Sequence, residues 1–483
     1  MAYFELNKTS NNDIKAILIF LLLSLIAQAY YFSNDTDIFR LISIGSVAFF
    51  FFYAVTKLHT DEFYITALFI AASSIITGFA GRELKEIVLV PLFICFLIFK
   101  KNKLKPLPLL FILYAIFGMI AFFTNFEMPN YFEVSSDQST GFQSRWWIIS
   151  SLICFLIGYL FTENLDRNKF IKFIFYFFLT VLSVSLVMYA LNIEKIPFFN
   201  SFVWSNNIEF NRFGILSNSG LIVCIFIVSG FMKEKKIRYL FFLLGVLGTL
   251  FGGGRASFIA LLVIVCIYFL VSDSISKFVK IGVTAGLILF VISYKQLGIE
   301  NELPNNIRRA MEFSDFETIY SAITSNYDTK NFNVFTTGDN LGDTYGSSFG
   351  RLTAWIIAME GINKNPFFGN GIENSYNPGV GEDEYHFESL VYSGGLHNVF
   401  FSLAYTWGIP ACILFLIMLV MAIIYTFKEY LKDRNVFFGF LTFYLIASFV
   451  QGFMGDIHYD YFFMLIFGLV FSEKYYSTQK EVE

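Results

Sequence analysis

The sequence predicts an all-α, polytopic integral membrane protein of about 12–14 transmembrane helices, with a large, partly helical extracytoplasmic loop. Three observations predict it. Hydrophobic residues make up 56% of the 483 positions and aromatics 20%, with 15% charged, a balance too apolar for a water-soluble chain of this length. Apolar runs near the ~17–25 residues needed to cross the hydrocarbon layer recur along almost the whole chain. One stretch breaks the pattern: between 296 and 398 acids, glycines and aromatics replace the apolar runs. A membrane barrel would instead read as short alternating strands, which the sequence lacks.

The spans are read near 14–32, 38–56, 62–80, 86–99, 107–124, 146–161, 170–191, 213–232, 238–251, 256–272, 278–295, 399–427, 435–452 and 459–473. Ala27-Gln28-Ala29 has the form of a signal-peptide cleavage site. The leading segment, however, is long and carries Glu5 and Asp13 beside Lys8 and Lys15, so an uncleaved first span is expected. The chain then divides into N-terminal transmembrane helices (1–295), an extracytoplasmic loop (296–398) with an amphipathic helix near 349–364, and C-terminal transmembrane helices (399–483).

Charge sets the orientation. KKNKLK (100–105), DRNKFIK (166–172), KEKKIR (233–238) and KEYLKDR (428–434) are basic, and alternation of the spans puts all four on one side. By the positive-inside rule that side is the cytoplasm, and both termini fall there too. The loops 125–145 and 192–212, the turn 252–255, the long segment 296–398 and GFMGDIHYD (452–460) then lie outside. A structureless connection of that length is unusual in a packed protein, so the long segment is where a site is expected.

Composition also excludes. The formal charge of −4, with no dense basic patch, argues against nucleic acid as a partner. All five cysteines (Cys95, Cys154, Cys224, Cys266, Cys412) lie in apolar runs without CxxC spacing, which argues against disulfides and cysteine-rich metal sites. No GxxxxGK loop, GxGxxG after a strand or GxSxG elbow is present.

Three stretches carry candidate chemistry. In FGGGRASF, Gly252, Gly253 and Gly254 reverse the chain between two spans and expose backbone amides, and Arg255 follows at the start of the next helix. A nest plus a guanidinium suits an anion, most obviously a phosphate; the plain alternative is a hairpin with a snorkelling arginine. In GSSFGRLTAWIIAMEGINKNPFFGNG, Ser347 or Ser348 can cap a helix on which Leu352, Trp355, Ile356, Met359 and Ile362 favour one side, and Asn365-Pro366 ends it. Such a helix lies at the membrane interface rather than crossing it. Arg351 stands in its first turn, where the helix dipole disfavours a cation unless an anion answers it; an ordinary surface arginine is the alternative. In GGLHNVFFSLAYTWGIP, His397 and Asn398 stand at the mouth of the next span, where histidine can accept a proton near neutral pH or simply cap the helix.

Other polar groups are weaker candidates. Arg212 begins a span on the outer side and either assists an anion or anchors the interface. Glu382, Asp383, Glu384 and His386 read as a solvated loop rather than a divalent-cation site. Asp456, His458 and Asp460 read as a solvated turn, with sugar binding as the alternative, and Arg82 with Glu83 as an ion pair.

Taken in order, GGGRASFIALL (252–262), GRLTAWIIAMEGINKNPFFGNG (350–371) and HNVFFSLAYTWGIPACILFL (397–416) resemble the O-antigen ligase and polymerase superfamily of bacterial membrane glycosyltransferases. The first is similar to the family's glycine-serine-arginine turn, the second to its arginine, tryptophan, then N-P-x-x-G-x-G run, and the third to its histidine-asparagine followed by a glycine that starts a further apolar run. Gly254 stands where a small residue usually precedes the arginine, and Ala256 where a glycine is frequent.

The resemblance implies a GT-C-like helical architecture and a metal-independent, inverting transfer, without cofactor, from an undecaprenyl-diphosphate-linked oligosaccharide at the outer face of the bacterial inner membrane. Arg255 and Arg351 would hold the diphosphate as it leaves, His397 would deprotonate or orient the acceptor hydroxyl, and Arg212 is similar to a further family arginine. Membrane lipid and a chain-length regulator are the implied partners. An O-antigen or capsular repeat-unit polymerase is the leading expectation, on the aromatic content and the long outer loop. A ligase that moves the finished glycan to lipid A-core would use the same groups. A transporter or flippase of lipid-linked sugars is the expectation of a different class. Against it, the notable charges gather at the outer ends of the spans and no internal repeat is seen.

Overall fold

The computed structural model describes residues 106–124, 139–160, 215–229, 235–252, 255–271, 361–371, 398–433 and 463–472, with shorter helical pieces between 93 and 94, 171 and 186, 278 and 289, 358 and 359, and 439 and 442. All regular structure among these residues is helical, and no strand occurs among them. The helices are α1 (Leu109–Phe123), α2 (Ser139–Leu160), α3 (Ile215–Val228), α4 (Lys235–Phe251), α5 (Arg255–Val271), α6 (Val399–Trp407), α7 (Ile409–Asp433) and α8 (Phe463–Ser472). The expected spans at 14–32, 38–56 and 62–80 and the loops at 192–212 and 452–460 lie outside the described residues, as do residues 296–357, the acidic run at 382–386 and the pair Arg82 and Glu83.

α7 is the element among the described residues that is long and apolar enough to cross a membrane, over Ile409–Glu429. Its 21 residues rise ~32 Å at 1.5 Å each, about the thickness of the hydrocarbon layer. Its two faces differ by contact rather than by polarity. Ala411, Phe415, Met418, Leu419 and Ala422 are buried, whereas Ile409, Ile413, Ile417, Val420 and Ile424 recur at helical spacing on the exposed side. An exposed stripe that is itself apolar is what lipid requires. Buried Thr426 satisfies its hydroxyl within the helix by donating to the Ala422 carbonyl at 2.8 Å.

Since lipid tails are as apolar as leucine, packing must hold these helices together, and small residues let backbones approach. In the α3–α4 hairpin, Gly220 faces Gly245 so closely that a Cβ on Gly220 would stand 2.5 Å from the Gly245 carbonyl oxygen. Ser217 donates across the seam to the Thr249 carbonyl at 3.3 Å, and Cys224 Sγ to that of Phe242 at 3.7 Å. α5 packs on α3 and also touches α4. α2 and α8 meet in the same manner: a Cβ at Gly158 would collide with the Leu465 carbonyl, and one at Gly468 with that of Phe155. The Phe155 ring stacks on Phe111 at 3.9 Å between centroids and takes Phe467 edge-on at 5.7 Å, so α1, α2 and α8 share one aromatic core. Tyr159 closes it by donating to the Pro106 carbonyl at 2.7 Å, just before α1.

Several boundaries follow the apolar runs, and three depart for identifiable reasons. α2 begins at Ser139, seven residues before the expected 146. Hydropathy marks where lipid begins, but Ser139 to Trp147 contain no proline, so the backbone ladder continues through polar residues. α4 takes Lys235 and Lys236 into its first turn, although KEKKIR read as a loop, because lysine is a good helix former and the lipid boundary again does not end the ladder. The span expected over 399–427 is two helices, α6 and α7, separated at Gly408. Gly408 adopts φ 93°, ψ 161°, a conformation open to glycine, and Pro410 has no N–H with which to continue an α6 ladder to the Thr406 carbonyl. α6, at nine residues, is too short to cross, so the membrane-length helix starts at Ile409. The segment following His397 is therefore a short helix, not the span it was expected to open.

Candidate functional site

The C-terminal end of the amphipathic segment is described from Ala358, and it ends as the sequence predicts. Helical residues run to Lys364, Asn365 N–H donates to the Gly361 carbonyl at 3.2 Å, and Pro366 turns the chain. One side of the segment is buried: Ala358 and Ile362 pack with Ala404 and Tyr405 of α6, against Phe401 and Cys412. Met359 faces out, 51% exposed. Gly361 is the point of closest approach, where a Cβ would collide with the Tyr405 ring.

Beyond Lys364 the chain forms a backbone clamp. Breaking the ladder at Gly408 leaves the last carbonyls of α6 and the first N–H of α7 without their helical partners, and buried backbone groups must find others. The loop 365–371 supplies them. Asn370 N–H donates to the Tyr405 carbonyl at 2.8 Å and Gly371 N–H to that of Thr406 at 3.0 Å. In the reverse direction Ile409 N–H donates to the Pro366 carbonyl at 2.8 Å. Asn370 braces the join with its side chain: Nδ2 donates to the carbonyls of Gly361 and Tyr405, each at 3.2 Å, and Oδ1 accepts from Asn365 Nδ2 at 2.7 Å.

Left-handed backbone falls on three glycines here, Gly369, Gly371 and Gly408. Gly369, at φ 70°, lies against the backbone of Thr406, and Gly408 lies against the Phe367 carbonyl with no room for a Cβ. α1 supports the assembly from beneath. Trp407 is fully buried over Gly118 and 4.9 Å from the Tyr114 ring, and Thr124 at the end of α1 touches Gly371.

The opposite end of α6 is capped by Asn398, whose side chain accepts from the N–H groups of Phe400 at 3.0 Å and Phe401 at 3.2 Å. Asn398, 5% exposed, thus takes the capping role that was the alternative reading of the residue before it. His397 itself lies outside the described residues, as do Arg351 and Arg212.

Arg255 is the first residue of α5, as the glycine turn predicts, and its side chain lies outside the described residues. The end of α4 is tightly held: Gly252 N–H donates to the Gly248 carbonyl at 3.0 Å, and a Cβ on Gly252 would stand 2.5 Å from the Ser217 nitrogen. The beginning of α3, which follows Arg212 by three residues, therefore packs against Gly252, just past the end of α4 and three residues before Arg255.

The sequence reading missed the role of Asn370 and the break at Gly408. Their signals were present, as paired glycines after Asn365-Pro366 and as Gly-Ile-Pro inside an apolar run.

These features describe a helical protein with one helix of membrane-crossing length among the described residues, in which the motif-bearing segment ending at 371 is fastened to a broken helix. Residues 240–416 match the family model described as O-antigen ligase. That stretch runs from α4 through α5, the clamp and α6 into α7, and its match supports the O-antigen ligase and polymerase superfamily. The match supports a membrane enzyme of O-antigen ligase or polymerase type and does not distinguish the two. No curated protein and no solved structure matches the chain.

Proposed function

We propose that the protein is an inverting, metal-independent glycosyltransferase that polymerises surface-polysaccharide repeat units at the periplasmic face of the inner membrane. The growing glycan leaves undecaprenyl diphosphate and joins a hydroxyl of a new lipid-linked repeat. Breaking the sugar–phosphate bond requires charge to be stabilised on the departing diphosphate and a proton to be taken from the acceptor on the opposite face of the anomeric carbon. Arg255 and Arg351 serve the first need, with Arg212 as a further contact, and His397 the second.

The observation that carries this reading is the clamp. Arg351 and His397 are 46 residues apart in sequence. The segment that follows Arg351 and the helix that follows His397 are joined by four hydrogen bonds between loop 365–371 and residues 405–409, and the bond from Asn365 to Asn370 braces them. A site assembled from two distant stretches needs such a fixed relation between them.

A ligase is the second reading, favoured by the description of the matching family. The test uses the full chain in nanodiscs with a lipid-diphosphate-linked repeat unit, glycan length being followed on a gel. A ladder that disappears in folded His397→Ala and Arg351→Ala supports the polymerase and its site. Transfer that occurs only when lipid A-core is added makes the protein a ligase. A wild type that does neither removes both readings.

A further inference from the structure

The hydrogen bonds that cross the clamp run between backbone groups with one exception, the bond made by the side chain of Asn370. Its backbone N–H and one side-chain N–H converge on the Tyr405 carbonyl, while the same amide nitrogen reaches back to the Gly361 carbonyl. The carboxamide therefore bridges the last turn of the amphipathic segment and the last turn of α6. Its remaining oxygen is held by Asn365 Nδ2, which fixes the orientation of the amide.

No other polar side chain would serve well. Ionised aspartate has the same shape but offers no donor and would set a charge against two carbonyl oxygens; serine or alanine would not reach. Asn370 is half-buried and Gly369 beneath it is buried, so the bridge lies between the two segments rather than in solvent. Sliding one segment along the other would break the side-chain bond to Tyr405 together with the three backbone bonds across the join, and would pull on the bond that ties the same amide to Gly361, whereas the glycine contacts constrain only how closely the segments approach.

We propose that Asn370 is a positioning residue for glycosyl transfer: it fixes the register between the segment preceded by Arg351 and the helix preceded by His397, and thereby the distance between the diphosphate and the acceptor base. This rests on the proposed roles of Arg351 and His397. A residue that acts in this way affects the rate of transfer more than the binding of donor, because misplacement by an ångström is felt at the reacting atoms.

The test compares wild type, Asn370→Asp and Asn370→Ala, full length in nanodiscs, with an undecaprenyl-diphosphate-linked repeat unit as donor. Asn370→Ala keeps both backbone bonds to Tyr405 and Thr406 and adds no charge, so it covers the case in which the aspartate does not fold. Three quantities are read: kcat, KM for the donor, and hydrogen exchange of peptides from 358–371, 398–409 and α1. The expected result is a fall in kcat of about a hundredfold with KM changed less than about threefold, and faster exchange in both 358–371 and 398–409 while α1 is unchanged. A folded Asn370→Ala whose kcat stays within about twofold of wild type overturns the proposal, as does a loss matched by the fraction of unfolded protein. If wild type transfers nothing, the enzymatic reading itself fails. Exchange then decides the structural half alone: coupled loss of protection upholds the bridge, and unchanged protection removes it.

Discussion

Ile409 begins the membrane-length helix α7 by donating its backbone N–H to the Pro366 carbonyl at 2.8 Å, a residue 43 positions earlier in the chain. In an uninterrupted helix that N–H would bond to Tyr405, whose carbonyl instead accepts from Asn370 at 2.8 Å. One helical bond has been exchanged for two tertiary ones, and the exchange locks the segment 358–371 to the bundle.

Gly408→Ala is expected to destabilise the protein by more than about 2 kcal/mol. The backbone at φ 93° alone costs an L-residue ~1–3 kcal/mol, and the new Cβ would strike the Phe367 carbonyl. A thermal melt in nanodiscs checks this, and a melting temperature equal to wild type would show that the join can relax.

Glycines elsewhere separate sharply by surroundings. Gly220→Leu is expected to split the α3–α4 hairpin and cost about 2 kcal/mol or more, since even a Cβ would stand 2.5 Å from the Gly245 carbonyl. Gly282→Ala, with nothing within 4 Å of the added carbon, is expected to be neutral or to stabilise by up to ~1 kcal/mol. The two melts, run side by side, test whether backbone proximity rather than glycine content holds the bundle.

On α7 the exposed and buried faces should respond in opposite ways to substitution. Ile417→Lys, on the exposed stripe, is expected to impair membrane insertion by about 2–3 kcal/mol, whereas Ile417→Leu has no effect. Phe415→Ala, on the buried face among Tyr114, Phe463 and Phe467, is expected to leave insertion intact and lower the melting temperature, at a cost of about 3 kcal/mol. A glycosylation-based insertion assay and a melt distinguish the two.

At the proposed site, Arg351→Lys is expected to retain charge yet recover little activity, with transfer reduced about tenfold or more, because ammonium cannot grip two phosphate oxygens in the planar manner of guanidinium. Full activity of the lysine variant would reduce the arginine to a general positive charge.

How far these features could be read beforehand depends on what lies close in sequence. The apolar runs gave α1, α5 and most of α3 to within a few residues, because lipid solvation is a property of each residue in turn. Asn365-Pro366 correctly ended the amphipathic segment for the same reason: proline acts on its own neighbours. The fate of Gly408 was harder. A glycine within an apolar run is tolerable in a helix, and it becomes a break here because loop 365–371 offers partners to the freed carbonyls. The paired glycines marked a turn around Asn370 but not its bonds, since its partners, Gly361 and Tyr405, are local on one side and 35 residues away on the other. The motif order that suggested the family is supported by the match over 240–416, while the roles of Arg212, Arg255, Arg351 and His397 rest on chemistry that activity measurements on their variants address.

The clamp also bears on how the chain is threaded during synthesis. Loop 365–371 and the α6–α7 junction bond backbone to backbone, so they occupy the same depth and the same side of the bilayer. Residues 405–409 leave the insertion machinery after loop 365–371, so the bonds can form only once the later segment has been delivered to the compartment that already holds the earlier one. A chain in which the two segments were parted across the bilayer would lose a set of hydrogen bonds that nothing in the hydrocarbon can replace.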